Sequence, residues 1–201
     1  MTESIPQVIG ILSERIVFNI GPRVRSLLIF KIFPIKTALQ YYNEVKTWSL
    51  FVKMELRPGQ KLSVLVVDDE EDIRETLRMF LEMMELFTFI VEAVDGSDGF
   101  KKAQIQQFDL IITDLTMPKM KGIELISNYQ AYENSLKREK KTPFIILSAN
   151  VGAAEVKLAI EMGVRNVVTK PCTADAFVSK VQEVLKKNSR EKLKITKSEE
   201  S

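Results

Sequence analysis

The stretch Phe108-Asp109-Leu110-Ile111-Ile112-Thr113-Asp114 decides the fold: an apolar run of buried-strand length closes on a carboxylate, and Leu115-Thr116-Met117-Pro118 and then Gly122 follow at once. A short apolar run bounded by turn residues is the pattern of a fully buried strand. In an open parallel sheet, ligands bind in the crevice beyond the carboxyl ends of the strands, so an Asp placed there is displayed. Taken alone, Asp114 has an ordinary alternative as a solvated turn residue, because Asp favours turns.

Working outward, a second apolar run, Leu62-Ser63-Val64-Leu65-Val66-Val67, also ends in acids, Asp68 and Asp69. Strands are predicted at Ser63–Val67, Thr88–Val94, Asp109–Thr113, Phe144–Leu147 and Asn166–Val168. Helices are predicted at Glu71–Met84, Ser97–Gln106, Gly122–Arg138, Ala153–Met162 and Thr173–Lys187. Ile73, Leu77, Phe80 and Leu81 recur at intervals of three and four, as do Phe177, Val181, Val184 and Leu185, which makes these positions core stripes. Alternating strands and helices predict an α/β protein, a doubly wound five-stranded parallel sheet with helices on both faces. Glu133 to Lys141 is expected to be an extended helix end and a solvated loop.

Outside residues 61–187 the patterning weakens. Residues 1–60 carry scattered apolar residues cut by Gly21-Pro22 and Pro34, and are expected to form a weakly structured or helical extension without assigned function. Ala38–Met54 has the spacing of one amphipathic helix. Pro58-Gly59 is a turn pair and marks the expected boundary, with Met54 a sensible natural start. The tail, residues 188–201, is polar and expected to fray.

Composition excludes more than it assigns. With 45% hydrophobic and 28% charged residues in 201, the chain has the make-up of a globular, water-soluble protein. Residues 1–60 carry eight Lys/Arg against four Asp/Glu, leaving 21 against 23 in the remainder. The main domain is thus mildly acidic and offers no broad basic face, so direct DNA binding is not expected. There is no His, which rules out a Ser-His-Asp triad, a His metal site or a phosphohistidine on this chain. One cysteine, Cys172, excludes an intramolecular disulfide and a multi-Cys zinc site. The start, Met1-Thr2-Glu3-Ser4, lacks the pattern of a signal peptide, and no run approaches the roughly 20 apolar residues of a spanning helix. A cytoplasmic protein without a membrane span is expected.

If the first and third strands are neighbours, as in the flavodoxin-like order 2-1-3-4-5, Asp68, Asp69 and Asp114 converge. Clustered carboxylates repel, and a divalent ion relieves that repulsion. All-oxygen ligands in a surface cleft suit Mg²⁺, which keeps several waters and shares its shell with phosphoryl groups. Two further strand ends add a hydroxyl, Ser148, and an ammonium, Lys170, both able to bind phosphoryl oxygens.

Together Val66-Val67-Asp68-Asp69-Glu70, Asp114-Leu115-Thr116-Met117-Pro118 with Gly122, Leu147-Ser148-Ala149 and Lys170-Pro171 resemble the receiver domain of bacterial two-component response regulators, over about Leu62 to Lys187. The resemblance implies the strand order 2-1-3-4-5 and a stand-alone, single-domain type. It implies that Asp114 is the phosphoacceptor, that Asp68 and Asp69 hold Mg²⁺ with Asp114 and the Thr116 carbonyl, that Ser148 is the switch hydroxyl, and that Lys170 contacts the phosphoryl group. Lys170-Pro171 would be a cis peptide. The implied partners are a sensor histidine kinase or His-phosphotransfer protein as donor and a downstream protein target. No catalysis is implied beyond its own phosphorylation and dephosphorylation.

Two positions depart from common patterns in that family. Val167 stands where an aromatic switch residue is usual, so a smaller output change is expected. Thr116 and Asn150 occupy the positions that modulate phosphoryl lifetime, and neither is acidic, which implies slow to intermediate dephosphorylation. Two other readings remain open at this stage: a receiver-fold scaffold or binding module that works without phosphate, and a phosphatase of related α/β fold.

Overall fold

The computed structural model describes residues 8–12, 15–18, 53–150 and 152–196. The chain divides into two units, Met1–Phe51 and Val52–Ser201. In the first, β1 (Val8–Leu12) pairs antiparallel with β2 (Arg15–Phe18). β-branched Val and Ile in both segments suit strands. Residues 38–52 of the helix expected over Ala38–Met54 lie outside the described residues.

The second unit opens with β3 (Lys53–Leu56) and continues with β4 (Ser63–Val67), α1 (Glu71–Met83), β5 (Phe89–Ala93), α2 (Gly96–Ile105) and β6 (Leu110–Asp114). It proceeds through α3 (Gly122–Ser135), β7 (Phe144–Ser148), α4 (Ala154–Glu161), β8 (Val167–Thr169) and α5 (Ala174–Asn188) to β9 (Leu193–Thr196). The five strands and five helices expected from patterning all form, with ends within one residue except at the end of α3.

β4 to β8 form one parallel sheet in the order β5-β4-β6-β7-β8, the 2-1-3-4-5 arrangement. α1 and α5 cover one face, where the rings of Phe80 and Phe177 pack at a tilt of 45° with centroids 5.9 Å apart. α2, α3 and α4 cover the other, burying Leu65, Ile111, Leu125, Tyr129, Ile146 and Val156. β4, β6 and β7 are sealed on both faces, which is why they consist of unbroken apolar runs.

Three expectations need correction. The tail does not fray through Thr196: β9 pairs antiparallel with β3, placing Met54 opposite Ile195 and Leu56 opposite Leu193. Leu193 is 1% exposed and Met54 8%. Lys192 Nζ donates to Asp109 Oδ1 at 2.6 Å and to the Lys61 carbonyl at 3.1 Å, tying the ribbon to the amino ends of the sheet strands.

The boundary expected at residue 60 is likewise displaced. Pro58-Gly59 forms a turn, with Gln60 N–H donating to the Arg57 carbonyl at 3.0 Å and Gly59 at φ 76°. Pro then Gly at the two central positions suits a type II turn. That turn is a joint inside the fold, because β3 precedes it and belongs to the same unit as the sheet.

The third correction concerns Glu133, which is fully buried rather than solvated. Its Oε1 accepts from the Thr142 amide at 3.0 Å and the Thr142 hydroxyl at 2.9 Å. Those bonds pin the chain at the entry to β7, so α3 ends at Ser135 and the connection turns back early.

Candidate functional site

The sheet itself assembles the site. β4 and β6 are neighbours with Val67 opposite Thr113, so the residues that follow, Asp68 and Asp114, emerge side by side. β7 adds Ser148 on the far side of β6, and β8 brings Lys170, whose amide continues the ladder by donating to the Ser148 carbonyl at 2.8 Å.

Lys170 Nζ lies 2.5 Å from Asp114 Oδ2, 2.7 Å from Asp68 Oδ2 and 3.6 Å from Glu70 Oε1. The Asp114 carboxylate is oriented from its other oxygen, Oδ1, by the Thr116 amide at 3.0 Å. Asp68 is fully buried, and its Oδ1 accepts the Glu70 amide at 3.1 Å. Its Oδ2 is the oxygen that pairs with Lys170. Burial pushes the Asp68 carboxyl above the ordinary carboxylate range, outweighing the pull of Lys170. For Lys170 burial acts downward, but the Asp114 and Asp68 carboxylates outweigh it and raise the ammonium above its usual value. The lysine is therefore held cationic between two acids.

Gly122 fixes the loop after β6. A Cβ there would sit 1.9 Å from the Asp114 carbonyl oxygen and 2.9 Å from Leu115 Cα, while its amide donates to the Leu115 carbonyl at 3.1 Å. Only glycine permits this approach of α3 to the acid-bearing strand end. Leu115 and Met117 are buried beneath the loop, and Thr116 between them is exposed.

The remaining residues singled out from sequence sit as follows. Ser148 is buried at the same edge, and its hydroxyl donates to the Asn150 carbonyl at 3.0 Å and accepts the Asn150 amide at 3.2 Å. Asn150 is exposed, its side-chain oxygen accepting the Gly152 amide at 2.9 Å. Val167 is half-buried against the core, and Lys170-Pro171 is cis.

Asp68, Glu70 and Asp114 form a group with ligand oxygens within 4.8 Å of one another. Asp69 is exposed, and its carboxylate is not in that group. Glu70 stands in the acidic run Asp68-Asp69-Glu70, and its place beside Asp68 and Asp114 is visible only in the folded chain. Three carboxylate donors converging within 4.8 Å, Asp68 fully buried among them, fit a hard divalent cation such as Mg²⁺.

The model of the response regulator receiver domain matches residues 64–182. A probable chemotaxis protein CheY of Rhizobium etli is 35% identical over 126 residues, 63% of this chain and 94% of that protein. The transcriptional regulatory protein ResD of Bacillus subtilis is 34% identical over 63% of this chain but only 49% of its own length. Among solved structures, the CheX-CheY-BeF3-Mg complex from Borrelia burgdorferi contains a chain 26% identical to this one, with a TM-score of 0.56 over 63% of this chain and 91% of that one. No helix among the described residues is long and apolar enough to cross a membrane. With the sheet order, the carboxylates of Asp68 and Asp114 joined by Lys170, and a family match over more than half its length, the chain belongs to the response regulator receiver family of two-component systems.

Proposed function

We propose that Asp114 accepts a phosphoryl group from a sensor histidine kinase or a His-phosphotransfer protein, and that its phosphorylation switches binding to a downstream protein target. The observation that carries this reading is the pairing of Asp114 Oδ2 with Lys170 Nζ at 2.5 Å while Thr116 N–H holds Oδ1. A carboxylate so held has a fixed direction of attack and a cation ready beside it.

In the step proposed, a carboxylate oxygen of Asp114 bonds to the phosphorus of a donor phosphohistidine. The P–N bond breaks, and its electron pair leaves with the imidazole. Lys170 then exchanges its carboxylate contact on Asp114 for a phosphoryl oxygen, stabilising charge that the acceptor site could not otherwise hold. Asp68, Asp69, Asp114 and the Thr116 carbonyl are proposed to hold Mg²⁺, as the receiver resemblance implies, and Glu70, whose carboxylate lies with those of Asp68 and Asp114 here, is the competing third acid. When bound, the ion neutralises charge on the phosphoryl oxygens. The protein acts on itself alone and turns over no separate substrate.

The switch is proposed to start at Ser148. Its hydroxyl now bonds within its own loop to Asn150, and a phosphoryl oxygen on Asp114 offers a stronger, charged acceptor. Release of the Asn150 contact would shift the loop between β7 and α4 and, with it, the face presented to a partner. Val167 supplies no ring to swing, so the change stays small. The work is proposed to be cytoplasmic. Incubation with acetyl phosphate and Mg²⁺, followed by mass spectrometry and borohydride trapping of the acyl phosphate, should place the label on Asp114. Label elsewhere, or none, overturns the reading.

A further inference from the structure

The loop that carries Thr116 is fastened at its far end by a contact that the acceptor chemistry does not use. Lys119 Nζ donates to Asp95 Oδ2 at 2.7 Å. Asp95 lies at the start of α2, its side chain 4% exposed, and its other oxygen caps that helix by accepting the Asp98 amide at 2.8 Å.

The neighbouring backbone repeats the attachment. Gly96 N–H donates to the Met120 carbonyl at 3.2 Å, and a Cβ on Gly96 would sit 2.5 Å from that oxygen. Lys119 adopts φ 62°, the left-handed region that a residue with a side chain rarely occupies. An unfavourable backbone state persists where surrounding contacts over-determine it. Two residues before Asp95, the Ala93 carbonyl accepts the Asp68 amide at 3.1 Å.

We propose that Asp95 and Lys119 are positioning residues for the phosphoacceptor site: their ion pair latches the loop of residues 115–121 to the start of α2 and so sets the Thr116 backbone against Asp114. This rests on the receiver reading given above. Neither residue touches the reacting atoms. Pairing strengthens both ionised forms, lowering the Asp95 carboxyl and raising the Lys119 ammonium through their hydrogen bond.

The test uses three variants of the full chain. Lys119→Met removes the charge from a side chain that is 72% exposed, so folding is not at risk. Lys119→Arg keeps the charge, and Asp95→Asn keeps the helix cap but not the ion pair. Amide hydrogen exchange of Gly96 and Thr116 is read by NMR in metal-free protein, and Mg²⁺ affinity by calorimetry. Exchange at both amides should rise, and Mg²⁺ affinity fall, by about two- to fivefold in Lys119→Met and Asp95→Asn, the size an ion pair with one exposed partner supplies. Lys119→Arg should recover most of both. Exchange at wild-type rates in Lys119→Met overturns the latch. Faster exchange with unchanged Mg²⁺ affinity also overturns it, because the contact would then support the fold and not the site. A wild-type protein that binds no Mg²⁺ and takes no label refutes the receiver reading itself, while the exchange data still decide whether the ion pair holds the loop.

Discussion

Lys170 and Asp114 lie 56 positions apart in the chain and meet at 2.5 Å, Nζ to Oδ2, across the carboxyl edge of the sheet. β7 stands between the strands that deliver them, so the contact spans two strand spacings and depends on the long lysine stem reaching over Ser148's neighbourhood. Because the same ammonium also meets Asp68, loss of one carboxylate leaves it paired.

Asp114→Ala should therefore abolish phosphoryl incorporation with little change in thermal stability. Asp68 keeps Lys170 charged, and one of two facing acids is gone. Labelling with acetyl phosphate and a melting curve check both parts. Label at the wild-type level would assign the acceptor elsewhere.

The position of the metal ligands is open to direct measurement. Asp69→Ala should weaken Mg²⁺ binding by about tenfold or more, equivalent to roughly 1.4 kcal/mol, and Glu70→Ala by much less. Titration of the two variants side by side decides between them. The reverse ranking would assign the third carboxylate to Glu70, the one already beside Asp68 and Asp114 in this structure.

Much of this arrangement was legible in the sequence because the sheet is buried on both faces. Val64 to Val67 and Leu110 to Ile112 are fully buried, and each run could end only where a polar group reached the edge, so the acids marked the site. What escaped were features that depend on a distant partner. Leu193 and Ile195 alternate with Lys192 and Lys194, a strand pattern hidden in a charged tail, and β3 at the other end of the unit is its mate among the described strands. Glu133 resembled a solvated acid until Thr142, nine positions on, supplied two donors. Lys119 carries no local sign that its backbone is left-handed.

Stability should respond to pH through Asp95. Its carboxyl is depressed first by the Lys119 hydrogen bond and then by the Asp98 amide. A carboxylate whose folded-state pKa is lowered contributes stability that is complete above its unfolded value, about 3.9, and is lost as the pH falls through the folded value. The advantage of wild type over Asp95→Asn should be constant above about pH 5 and shrink as acid is added below it. Urea midpoints across that range measure it, and an advantage that stays constant down to pH 3 would count against the assignment.

The ribbon of β3 and β9 predicts a difference between two shortened chains that start on either side of Met54's strand. Removing residues 1–52 leaves β3 intact, together with the contacts of Met54 and Leu193, and should leave the melting temperature of the receiver unit close to that of the full chain. Removing residues 1–60 strips β3 from β9 and takes away the Arg57 bonds, in which the amide reaches the Lys192 carbonyl at 2.9 Å and Nε the Leu193 carbonyl at 3.1 Å. β9 would then lose its only partner among the described strands and expose Leu193, which is 1% accessible in the intact unit. Truncating that side chain alone, as Leu193→Ala, should cost about 2–4 kcal/mol, since a buried leucine leaves a cavity as well as losing its transfer energy. For a unit of this size that corresponds to a fall of roughly 4–16 °C in melting temperature. The chain lacking residues 1–60 should fall at least as far, while still accepting phosphate on Asp114 at low temperature, because the ribbon joins the amino ends of the strands and the acids stand at the opposite edge. Equal melting temperatures for the two truncations would show that the ribbon contributes nothing to the fold and return the boundary to Pro58-Gly59.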